Sequence, residues 1–120
     1  MLIAEQEEVF EISQISEKLL YNITLKCQSP VMANAFQDCQ LTLDYDGKSL
    51  ERADVFVDGS MSMHSHGLPT TPQILWSEER KAHIIKGLKF SMPGQWSLNF
   101  NVNSADNELK DKIVMAIKVK

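Results

Sequence analysis

Two cysteines, three histidines, four prolines and five glycines are all that the 120 residues hold of those types. Cys27 and Cys39 form neither a redox Cys-x-x-Cys nor a zinc-type pair. No apolar run is long enough to cross a bilayer. The opening "MLIAEQEEVF" lacks the basic start and long apolar stretch of a signal peptide. That leaves a cytosolic protein or the trimmed form of an exported one. A cationic excess is also missing. The formal net charge of -4 argues against nucleic acid as the main partner, because phosphate contacts favour basic surfaces. There is no Gly-x-Ser-x-Gly, no P-loop and no dinucleotide fingerprint. Without a nucleophile, base and acid set, an enzyme is not expected. Internal repeats and low-complexity tracts are absent too.

What is present is an ordinary globular composition, 43% hydrophobic and 23% charged. The chain is one domain's worth, residues 1–120, and can bury a core without metals or several disulfides. Its main signal is alternation. In "QWSLNFNV", Trp96, Leu98, Phe100 and Val102 share one face, with Ser97, Asn99 and Asn101 on the other. Ile113, Met115, Ile117 and Val119 share a face in "DKIVMAIKVK". So do Tyr21, Ile23, Leu25 and Cys27 in "LYNITLKC", and Cys39, Leu41, Leu43 and Tyr45 in "DCQLTLDYDG". Weaker strands surround Val55 and Val57, and run from Ala82 to Leu88. Turn signals at Asp46-Gly47 and Pro93-Gly94 separate such runs. The pattern predicts an all-β fold, an immunoglobulin-like antiparallel β-sandwich of about seven strands.

The N-terminal residues are ambiguous. Ile12, Ile15 and Leu19 fit a helix face, whereas "EVFEIS" fits a strand. The strand is the reading taken, because a sandwich usually needs a seventh. "GLPTTPQILWSEER", Gly67 to Arg80, lacks clear alternation and carries two prolines. It reads as a loop or an edge excursion, and loops on a rigid scaffold are where sites gather.

One segment looks like neither core nor common surface. "MSMHSH" puts Met61, Met63, His64 and His66 within six positions. Thioether sulfur is a soft ligand that favours Cu(I), and imidazole accepts Cu(I), Cu(II) or zinc. In an extended backbone the two sulfurs and the two imidazoles fall on opposite faces. One metal could take all four only if the chain bends, which Gly67 and Pro69 would permit. The competing reading makes the methionines strand-end core and the histidines solvated. Met92, before a Pro-Gly turn, caps the core or adds a flexible thioether to the set. His83 lies inside an expected strand and reads as a partly buried or surface imidazole. "NIT" at Asn22 is a glycosylation sequon of a kind common by chance, and "EQEE" reads as solvated surface.

The cysteines pose a separate choice. If their strands pair antiparallel with a constant index sum, Cys27 faces Cys39, Leu25 faces Leu41, Ile23 faces Leu43 and Tyr21 faces Tyr45. All four are same-face pairs. A disulfide there would imply an oxidising compartment, whereas two buried free thiols would behave as small hydrophobes.

At "MSMHSHGLPTTP", and again at "GLKFSMPGQWSLNFNV", the chain resembles the FixH/YtkA-like group of bacterial extracytoplasmic domains. The likeness covers roughly Ala53 to Val102. It implies an immunoglobulin-like sandwich outside the cytoplasmic membrane, periplasmic or otherwise extracytoplasmic. It also implies a link to copper handling or to assembly of copper-containing oxidases. Carried onto this chain, the Met/His segment falls on Met61, Met63, His64 and His66, and the Met-Pro-Gly methionine on Met92. Many relatives carry an anchor or a signal sequence, and this chain shows neither. The function expected is a copper carrier or chaperone, holding Cu(I) more than Cu(II), with an envelope protein as copper donor or acceptor. The alternative is a metal-free protein-interaction module of the envelope, such as an assembly factor.

Overall fold

The computed structural model describes residues 9–61, 66–106 and 108–120. No helix occurs among them. The strands are β1 (Val9–Ile15), β2 (Tyr21–Gln28), β3 (Cys39–Tyr45), β4 (Lys48–Ser49), β5 (Asp54–Met61), β6 (His66–Gly67), β7 (Gln73–Ser77), β8 (Ala82–Lys86), β9 (Gly94–Asn103) and β10 (Lys110–Val119).

They form two antiparallel sheets. One runs β1-β2-β3-β8-β7, with β4 also on β3; the other runs β10-β9-β5-β6. Setting aside β1 and the two-residue strands, β2-β3-β8-β7 faces β10-β9-β5. That is the order of a constant-type immunoglobulin domain, ABED against CFG. The expected seven-strand sandwich is therefore present, with β1 added beyond the first strand. The ambiguous N-terminal stretch is that strand, and it pairs along its length with β2.

Alternation decides the faces. Ile23, Leu25, Leu41 and Leu43 bury from the first sheet, and Trp96, Leu98, Phe100, Val102, Ile113, Met115 and Ile117 from the second. Each fully buried large side chain contributes about 1.5–3 kcal/mol of hydrophobic stabilisation relative to exposure. Conformational entropy opposes most of that total.

The register of β2 on β3 is Tyr21 with Tyr45, Ile23 with Leu43, Leu25 with Leu41 and Cys27 with Cys39. Those are the pairs a constant index sum requires. Cys27 and Cys39 are joined by a disulfide, and both are buried. Unlike the inter-sheet bond of antibody domains, this one links neighbouring strands of one sheet.

Two expectations change in detail. Gly67 to Arg80 is not all loop, because Gln73–Ser77 forms β7, the edge strand on β8. His83 is neither partly buried nor on the surface; it is 1% exposed.

The far edge of β10 is covered. Gln14 Nε2 donates to the Val114 carbonyl, Glu17 N–H to that of Lys112, and Ala33 N–H to that of Lys120. Asp111 ties the β1–β2 turn to this strand by accepting from the Ser16 hydroxyl and from the amides of Lys18, Leu20 and Lys112. Burial pushes the Asp111 carboxyl up, but those donors outweigh it and hold its pKa below the ordinary value.

Candidate functional site

β5 ends on Met61, and the chain returns as β6 with Met61 opposite His66 and Ser60 opposite Gly67. β5 and β6 therefore pair antiparallel at one end of the second sheet, and Met61 and His66 are the innermost described pair. Met63 and His64 lie outside the described residues, as does the side chain of His66. Met61 belongs to a strand rather than a loop, and its side chain is 3% exposed.

The Met92 turn lies against that end of β5. A Cβ at Gly94 would stand 2.6 Å from Met61 Cε, so the Met61 methyl occupies the space a side chain would need. Gly94 also has φ +133°, which a side chain resists. Both facts select glycine here, one through the space and one through the backbone. Met92, two residues earlier, is half-buried and packs on the core. Its carbonyl accepts from Trp96 Nε1 at 2.9 Å, and the Trp96 ring meets Phe90 edge-on at 5.2 Å. The turn is thus pinned from below by a buried indole. A second close approach fixes the chain's return. A Cβ on Gly59 would meet Leu68 at 3.0 Å, so Leu68 lies directly over β5.

Of the expected ligands, the structure brings together Met61, the backbone of His66 and the turn that carries Met92. Cys27 and Cys39 belong to the opposite sheet and are consumed in the disulfide. Among the described residues no three His, Cys, Asp or Glu side chains converge as a metal group. The expected ligands whose side chains are described, Met61 and Met92, carry thioethers, which are uncharged and soft. Their chemistry fits Cu(I) and does not fit calcium or magnesium, which need oxygen ligands.

The sequence marked Pro93-Gly94 as a turn and Trp96 as core, but not the approach of Met61 to Gly94 or the Trp96 bond to the Met92 carbonyl.

His83 forms a separate polar feature in the first sheet. Its Nε2 accepts from the Ala53 amide at 3.0 Å, and Nδ1 has no partner among the described residues. Accepting at Nε2 places the proton of the neutral ring on Nδ1. Burial pushes its pKa below the ordinary value. Trp76 meets the ring edge-on at 5.0 Å, and the Trp76 indole donates to Glu78. Glu78 also receives Lys81 and Arg52, and the Lys81 hydrogen bond leads in bringing its pKa down to about 2. This cluster is exposed and screened. It offers no acid-base pair with His83, whose ring is turned into the core.

No family model matches the chain, and neither a curated protein nor a solved structure shows significant similarity to it.

Proposed function

We propose that this chain is an extracytoplasmic copper-binding carrier that uses Met61, Met63, His64, His66 and Met92 as its ligand set. The observation that carries the reading is the contact of Met61 with Gly94, which sets the start of the Met/His segment against the Met92 turn. Two separated methionine motifs then address one end of the sandwich. The disulfide supports an oxidising compartment.

Copper is cargo in this account. Neutral thioethers select Cu(I) and release no proton on binding, whereas imidazole binding weakens as the ring protonates. Met61 would close the site from the core side. Met92, on a turn and with three rotatable bonds, would be the ligand that yields to a copper-accepting envelope protein. Trp96 and Phe90, buried beneath the Met92 turn, would give such a site an apolar floor.

The test separates the two ligand types. Met92→Leu keeps volume and removes sulfur, so Cu(I) affinity should fall while stability changes by less than about 1.5 kcal/mol. His64→Ala with His66→Ala should chiefly weaken Cu(II). Equal losses of both ions in both variants would contradict the division of roles.

A second reading, a metal-free interaction module, draws on a groove of about 680 Å³ on the outer face of the first sheet. Phe36 and Leu75 line it and are 67% and 51% exposed. Retained capture of an envelope partner by a protein lacking all five ligands would favour it.

A further inference from the structure

The outer face of β10-β9-β5 is ordered by charge from one side to the other. Register places Lys110, Asn103 and Asp54 in one row, then Lys112, Asn101 and Phe56, then Val114, Asn99 and Asp58, then Ala116, Ser97 and Ser60. Lysines stand on one flank, neutral amides and a hydroxyl along the middle, and carboxylates on the other flank. Lys110 and Asp54 make no ion pair among the described residues. A shallow cavity of about 350 Å³ opens at the basic flank, lined by Lys18, Lys110 and Lys112 with Asn101 and Asn103. Asp111, also in its wall, is buried and already holds four donors.

We propose that this face binds a second copy of the chain about a two-fold axis lying along β9. Such a rotation brings the flank of one copy over the opposite flank of the other, at the same row. Asp54 of each copy then enters the lysine-lined cavity of its partner, and the amide column meets itself on the axis. A two-fold interface repeats every contact, so the Asp54–Lys110 pairing occurs twice. The two large apolar side chains left exposed on this face, Phe56 at 63% and Val114 at 46%, sit on opposite flanks one row apart. In the pair each lies diagonally across from the other, and stacked sheets lie ~10 Å apart, a gap that side chains from both faces fill.

Other occupants fit less well. An acidic partner or an anionic surface would satisfy the lysines and be repelled by Asp54 and Asp58. Strand addition at β10 is blocked, because the β1–β2 turn and the segment at Val31 and Ala33 cover that edge. The area sets the strength. Ten residues of β9 span ~34 Å, and three strands ~4.8 Å apart span ~14 Å, giving roughly 480 Å² per copy. The total falls at the low end of specific interfaces, so the dimer is weak and reversible.

Sedimentation velocity of the full chain, from micromolar to submillimolar concentration, tests this. At low salt the mass should rise from 13.6 kDa toward twice that value, and added salt should lower it again. Asp54→Lys and Lys110→Glu should each weaken self-association at least tenfold, because each places like charges together twice. Mixed in equal amounts, the two variants should pair with each other, since both facing pairs are then opposite in charge. Near-UV circular dichroism checks that each variant remains folded. A wild-type chain that stays monomeric at every concentration overturns the proposal. So does a mixture of folded variants that fails to associate.

Discussion

Reducing the Cys27–Cys39 bond perturbs the fold without changing a residue. The bond closes a loop with a sequence separation of 12. The chain-entropy relation gives about 3 kcal/mol for a loop of that size. Both sulfurs lie in the core, so reduction leaves their volume in place and adds little cavity cost. An unfolding entropy of about 2.1 cal/mol/K per residue gives about 250 cal/mol/K for this chain. The melting temperature should therefore fall by about 12 °C on reduction. Differential scanning calorimetry of the metal-free protein, with and without a phosphine reductant, measures it. Alkylation and intact-mass measurement establish the thiol count in each sample. A shift below about 4 °C in fully reduced protein, equivalent to about 1 kcal/mol, would refute the reasoning. The β2–β3 pairing would then persist in the unfolded chain or gain nothing from its covalent tie.

Two more outcomes follow from the buried polar group and the site glycine. His83 has a folded pKa below its unfolded value, so the unfolded chain takes up the proton first. Its contribution to stability is full above the unfolded value of about 6.5 and is lost as pH falls below it. Urea midpoints should drop from pH 7.5 to 5.5 and the drop should shrink in His83→Gln; an unchanged slope in that variant would contradict this. Gly94→Ala forces a Cβ against the Met61 methyl at a φ that resists it. It should cost about 1–3 kcal/mol in chemical denaturation and lower Cu(I) affinity, and an affinity equal to wild type would detach Gly94 from the site.

Alternation made much of the sandwich readable. Where one face packs and the other is wet, period two reports the face directly, as in β9 and β10. The same parity would have placed Asp111 with Ile113 inside, and His83 with Ile85. Both polar residues are buried, Asp111 accepting from three backbone amides and His83 from one. A sequence does not announce which amides those are. β7 escaped notice because Leu75 points outward and is 51% exposed, so the apolar run carries no period. The segment at Met61 was half legible. Its methionines and histidines stood out, but the approach to Gly94 depends on how β9 sits beside β5, and no local pattern encodes that.

Copper affinity is the most direct measure of the central claim. Purified protein and a variant with Met61, Met63, His64, His66 and Met92 all replaced would be titrated with Cu(I) against a competing chelator, with folding of both checked by circular dichroism. The account predicts one Cu(I) bound per chain by the wild type and loss of that binding in the folded variant. Equal binding by the two, or none by either, would contradict it.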